Sequence, residues 1–201
     1  MSVHLIKGFA DPIASAQKVF RRSLKAMSEP GIEVALTDEV TLPGLNPSTT
    51  ALLLTLLDQD TSLWLPTALR TPELIKNLAF HCGCPLVDDQ AEAQFAVYDL
   101  ADFLAAEKLA FSLGNDRYPD QSATVLIQLP NDAATANSVW RGPGIETQRQ
   151  CALPLNAEFW ARRQRMIAFP CGVDYFLTSK HSVIGLPRTT QITQQEETVC
   201  M

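Results

Sequence analysis

Apolar positions near the start of the chain, Ile13, Ala16, Phe20, Leu24 and Met27, recur at three- and four-residue spacing. This is a helical period, with Asp11 before it and Pro12 in its first turn, and the stripe is expected to face a core. Arg21, Arg22 and Lys25 fall on the rest of that surface. Pro30-Gly31 stops the helix, and Ile32 to Leu36 then alternates as a strand does. Asn46-Pro47 reads as the cap and first position of a buried helix through Leu57, followed by a short strand, Ser62 to Leu65. Thr71-Pro72 repeats the start signal for a helix ending near His81, and Gln94 to Tyr98 is a strand leading into a helix from Ala101 to Phe111.

The second half keeps the alternation and then changes character. Ala123 to Leu129 is a β-branched and aliphatic run of the kind that fills a strand buried on both faces. A polar segment at 130–137 leads to a strand at Val139-Trp140-Arg141, which Gly142-Pro143-Gly144 breaks. Asn156 caps a helix to about Ile167. Val173 to Thr178, a turn at Ser179 to His181, and Val183 to Leu186 form a hairpin. Helix and strand alternating early, with an antiparallel pair late, predict an α/β protein: a three-layer α/β/α sandwich around a mixed sheet. The expectation is one domain over residues 1–201, with 1–10 and 193–201 peripheral.

Composition narrows the function classes. Hydrophobic residues make up 46% and charged residues 19%, enough apolar material for a packed core. A net charge of -6 gives no general attraction for nucleic acid, and no long basic run supplies a local one. The most apolar stretch, Ala51 to Leu57, is far shorter than the roughly 20 residues of a membrane span. The first residues lack the basic, apolar and small-residue order of a secretion signal. Five scattered cysteines fit a reducing compartment, so a cytoplasmic protein is expected.

Few motifs carry chemistry. His81, Cys82 and Cys84 put three soft or borderline ligands within four residues, but a closed zinc site wants a fourth ligand, commonly from a second cluster that is missing here. No metal is expected. Phosphate-loop and dinucleotide-binding glycine patterns are absent, as is a nucleophile elbow. Cys171, between Phe169-Pro170 and Gly172, reads as a packing thiol at a turn. Arg188 follows the hairpin with Thr189 and Thr190 behind it; a fork onto a phosphate or carboxylate and an ordinary ion pair are both open on spacing alone.

Four segments together resemble one family: Phe20-Arg21-Arg22-Ser23-Leu24-Lys25-Ala26-Met27-Ser28-Glu29-Pro30-Gly31, Gly142-Pro143-Gly144-Ile145, Phe169-Pro170-Cys171-Gly172-Val173-Asp174 and Gly185-Leu186-Pro187-Arg188-Thr189-Thr190. The chain resembles the PhnH subunits of bacterial carbon-phosphorus lyase. The resemblance implies a core complex with PhnG, PhnI and PhnJ, and a part, with the G, I and L proteins, in making α-D-ribose 1-methylphosphonate 5-triphosphate from ATP and methylphosphonate when phosphate is scarce. It also implies the fold of the large domain of pyridoxal-phosphate aminotransferases without the cofactor, so no cofactor is expected. No catalytic residue is implied, and a homodimer in isolation fits a subunit that lacks its partners.

Two classes follow. The chain organises the assembly without catalysing, or it lends phosphate-binding arginines to a shared active site. Candidate ligand residues are Arg22, Arg141, Arg188 and Thr189, the alternative for Arg22 and Arg188 being pairing with Glu29 or Asp174. Pro30, Gly31, Gly142, Gly144, Pro170, Gly172 and Asp174 are read as a structural motif whose glycines and prolines set backbone turns. Phe9, Trp140, Phe159 and Trp160, near loops and element ends, are the candidates for an exposed apolar contact face.

Overall fold

The computed structural model describes residues 4–38, 40–130 and 136–194. In chain order the elements are α1 (Pro12–Ser28), β1 (Val34–Ala35), α2 (Pro47–Leu56), β2 (Leu63–Trp64), α3 (Pro72–His81), β3 (Phe95–Asp99), α4 (Leu100–Ala105), β4 (Thr124–Gln128), β5 (Ala136–Arg141), β6 (Arg149–Leu153), α5 (Ala157–Arg165), β7 (Ile167–Ala168), β8 (Cys171–Gly172), β9 (Asp174–Thr178), β10 (Ser182–Leu186) and β11 (Gln191–Gln194). Four helices begin where short polar side chains replace missing backbone acceptors. Asp11 accepts from the Ala14 N–H, Asn46 from Thr49, Thr71 from Leu74 and Asn156 from Phe159.

A six-stranded mixed sheet runs in the order β1-β10-β9-β4-β3-β2. β2, β3, β4 and β9 are parallel, while β10 and β1 join antiparallel at one edge. β4 has neighbours on both sides and is buried on both faces, as its aliphatic run predicts. Alternation along the strands divides the core. Val97, Leu126, Phe176 and Val183 point into a layer shared with Val19 and Ala26 of α1, Leu52 and Leu53 of α2, and Leu74 and Leu78 of α3. Ala96, Tyr98, Val125, Ile127, Tyr175 and Leu177 point the other way, against Phe103 of α4, Phe159 and Trp160 of α5, and Trp140. On that second face the helices share their layer with a three-stranded antiparallel sheet, β11-β5-β6.

Several expectations need correction. Most of the α1 stripe does not face the core: Ile13 is 85% exposed, Phe20 46% and Leu24 53%, whereas Ala16 is half-buried and Met27 packs against the first-face core, and Val19, Ser23 and Ala26 are buried. The cause is close approach. Gly185 on β10 brings its backbone so near α1 that a Cβ there would sit 2.3 Å from the Ala26 carbonyl oxygen, so only the helix's small-residue face fits. The proposed contact residues Trp140, Phe159 and Trp160 are all buried, and Phe9 packs partly buried against the first-face core. The helix drawn to Phe111 ends at Ala105, because Phe111 turns in to meet Tyr98 and Trp64, and the Ala110 N–H donates to Gln90 Oε1 at 2.8 Å. Thr193 and Gln194, read as a peripheral tail, pair with β5; residues 195–201 lie outside the described residues, as do 131–135 of the polar segment before β5. Among the described residues no helix is long and apolar enough to cross a membrane.

Candidate functional site

α5 and the chain from Arg188 to Gln194 border a half-open cavity of about 580 Å³, lined on the helix side by Trp160, Arg163 and Gln164 and completed by Ile167 and Phe169. Asn156 sets the start of α5 by capping it, and Phe159 and Trp160 bury its apolar side, which turns Arg163 inward. Arg163 is 3% exposed. Its Nη2 donates to the carbonyls of Pro187 and Thr190 at 2.8 and 2.9 Å, so this side chain holds the Pro187-Arg188-Thr189-Thr190 turn in place. Its Nε has no partner, nor does Oγ1 of the equally buried Thr190. Burial pushes the Arg163 guanidinium down to about 10, still charged at neutral pH.

Arg188 lines the same cavity but is fully engaged. Its Nε and Nη2 donate to the Asp174 carboxylate at 3.2 and 2.6 Å, its Nη1 to the Pro119 carbonyl at 2.6 Å, and its backbone N–H to Asp174 Oδ1 at 2.7 Å. The ion pair is largely buried and ties the start of β9 to the turn after β10. Thr189 is a half-buried lining residue beside it. Arg22 and Arg141 lie outside this cavity: Arg22 Nη1 donates to the Ala35 carbonyl at 2.6 Å, and Arg141 Nη2 to Gln148 Oε1 at 2.5 Å. The structure therefore brings together Arg188, Thr189 and Asp174 of the candidate residues and leaves Arg22 and Arg141 elsewhere.

The glycine and proline motif lies at crossings of the chain. Gly31 and Gly144 both have φ of 80°, which disfavours any other residue. A Cβ at Gly144 would lie 2.0 Å from the Ser28 carbonyl oxygen, and one at Gly31 2.7 Å from Cys151 Sγ, so the two turns clamp the end of α1 against β6. Pro30 is buried, and its carbonyl accepts from Arg149 Nη1. Gly142 closes onto Thr189 and Gly172 onto Met166 and Arg188, around the same cavity, and the Phe169-Pro170 peptide is cis. His81 is tied to the Ile6 carbonyl at 2.8 Å, Cys82 Sγ donates to the Leu53 carbonyl, and Cys84 is buried. Among the described residues no three His, Cys, Asp or Glu side chains gather as a metal set.

Reasoning from sequence missed Arg163. It stands in Ala161-Arg162-Arg163-Gln164-Arg165, which reads as a solvent face, and only the docking of the Pro187–Thr190 turn buries it. The cavity it lines is a polar pocket on a mixed α/β scaffold, and it carries neither a nucleophile–base pair nor a metal set among the described residues. That scaffold and pocket define the class, a mixed α/β protein with a polar cavity beside α5. The chain belongs to the bacterial phosphonate metabolism protein (PhnH) family, whose profile matches residues 7–193. It is 34% identical over 192 residues, 93% of this chain and 94% of the relative, to the alpha-D-ribose 1-methylphosphonate 5-triphosphate synthase subunit PhnH of Rhizobium meliloti (strain 1021). It is also 29% identical over 178 residues, 88% of this chain and 85% of the relative, to the putative C-P lyase subunit protein HtxG of Stutzerimonas stutzeri.

Proposed function

We propose that this chain is a non-catalytic subunit of a phosphonate-degrading assembly, contributing to the synthesis of α-D-ribose 1-methylphosphonate 5-triphosphate and docking its partners through the outer face of α1. The observation that carries this reading is the placement of Ile13, Phe20 and Leu24 in water, 85%, 46% and 53% exposed, on one side of a helix whose second half, from Phe20, belongs to one of the four family-like segments. Such a stripe costs solubility unless another surface covers it. Charge selects the occupant. α1 carries Lys18, Arg21, Arg22 and Lys25 and no acid, in a chain of net charge -6. Two copies meeting through α1 would bring like charges together, whereas a different subunit with an acid-rimmed apolar groove is complementary. A homodimer in isolation would then use another face.

The partners on this reading are PhnG, PhnI and PhnJ, in the cytoplasm, when phosphate is scarce; the relatives described as subunits support it. The parallel run β2-β3-β4-β9 with helices on its faces supports likeness to the large domain of pyridoxal-phosphate aminotransferases, without the cofactor. Reconstitution tests the reading. Incubating ATP and methylphosphonate with the G, I and L proteins should give the ribose 1-methylphosphonate 5-triphosphate only when this chain is added, and this chain alone should turn over nothing. Full activity in its absence, or turnover by the chain unaided, contradicts it.

A further inference from the structure

β2 and β3 are parallel neighbours, and the chain leaves their carboxyl ends in opposite directions. After β2 it turns at Thr67–Leu69 into α3, whose Leu74 and Leu78 pack on the first face of the sheet. After β3 it enters α4, whose Phe103 packs on the second. Adjacent strands whose connections part in this way leave a crevice beyond their ends, and open α/β sheets take their ligands there. In this chain the crevice is an open cavity of about 360 Å³, bordered by Pro66 and Thr67 after β2 and by Asp102 and Ala105 of α4. That volume suits a small organic molecule.

The cavity has an aromatic wall that is fixed in advance. Trp64 lines it half-buried, and Tyr98, 2% exposed, backs the indole with ring centroids 5.0 Å apart. Trp64 Nε1 donates to the Asp88 carbonyl at 3.2 Å, and Gln90 Nε2 donates to the Tyr98 hydroxyl at 2.8 Å. Asp102 lines the same space half-buried and, among the described residues, has neither a hydrogen bond nor an ion pair. Its charge reaches the wall: burial pushes the Tyr98 phenol up to about 12, and Asp102 adds to the rise. Arg162, which acts on Tyr98 in the opposite sense, is already held by Glu158 Oε1 at 2.7 Å and the Ala106 carbonyl at 2.5 Å. An unpartnered carboxylate beside a fixed indole is an arrangement that holds an organic cation, because the ring face is negative and the carboxylate supplies the counter-charge. The other charged lining residue, Lys108, is exposed and opposes a cation, which gives the test a direction.

We propose that this cavity binds an organic cation, an alkylammonium being the type, with Trp64 receiving the cationic head and Asp102 neutralising it. The wall belongs to the second face of the sheet and α1 to the first, so failure of this site would leave docking through α1 intact. Titration of the full chain with choline, and with dimethylbutanol as its uncharged carbon analogue, tests the proposal by the NMR signals of the indole N–H groups. Choline should move the Trp64 signal saturably and leave those of Trp140 and Trp160, both buried in the core, in place. Dimethylbutanol should bind about tenfold more weakly or not measurably. Two substitutions of side chains without partners should leave the melting temperature unchanged and move the choline affinity in opposite directions. Asp102→Asn should weaken it about fivefold, the scale of one partly screened ion pair, and Lys108→Gln should strengthen it. No saturable shift of the Trp64 signal, equal binding of the uncharged analogue, unchanged affinity in Asp102→Asn, or weaker choline binding by Lys108→Gln would each overturn it.

Discussion

Arg188 uses all three guanidinium nitrogens on the Asp174 carboxylate and the Pro119 carbonyl, in a setting where both charges are more than four-fifths buried. A planar fork does this, and a single ammonium cannot. Arg188→Lys should therefore lower stability by about 1–3 kcal/mol in urea unfolding, because at least one buried acceptor loses its donor while the charge remains. Gly31→Ala should cost more than about 1 kcal/mol by the same measurement, since φ of 80° and the 2.7 Å approach to Cys151 Sγ both oppose a Cβ. At this scale the sequence showed the motif but not its geometry. The Arg188–Asp174 pairing stood among the alternatives, since both residues lie in quoted segments; Arg163 did not, since nothing local distinguishes it from its half-buried neighbour Arg162 or its exposed neighbour Arg165.

α1 is the element where pattern and packing part company. Hydrophobic spacing locates a helix correctly, yet which side turns inward depends on what the helix meets, and here it meets the backbone of β10 at Gly185. The inward side must be small where it crosses Gly185, so Ile13, Phe20 and Leu24 stay outside. Phe20→Gln and Leu24→Gln should each change stability by no more than about 0.5 kcal/mol, as exposed substitutions do. Ala26→Leu should cost about 2 kcal/mol or more, because the side chain has nowhere to go. Thermal unfolding of the three variants checks this ordering, and a larger loss from Leu24→Gln than from Ala26→Leu would place the core on the wrong side of the helix. Helix starts were legible because capping is local chemistry: Asp11, Asn46, Thr71 and Asn156 all cap as read. β6 and β11 were not, because Arg149 to Leu153 and Gln191 to Gln194 carry little periodicity and become strands only by pairing with β5.

At the scale of the whole molecule, an acidic protein wears a basic helix whose large apolar residues face water. The aromatic residues that sequence position put forward for a contact face, Trp140, Phe159 and Trp160, close the core on the second face of the sheet. The first-face helix α1 is left as the surface that asks for cover. Family membership supplies the setting, and on the proposed reading the basic side chains of α1 favour an acidic partner subunit over a second copy. The most direct measurement is co-purification of this chain with tagged G, I and J proteins, comparing the parent with a Phe20→Glu, Leu24→Glu double variant whose melting temperature matches it. The account predicts stoichiometric retention of the parent and at least tenfold weaker retention of the variant, since two carboxylates would enter an apolar contact facing acidic groups. Retention of the double variant equal to that of the parent would contradict docking through α1.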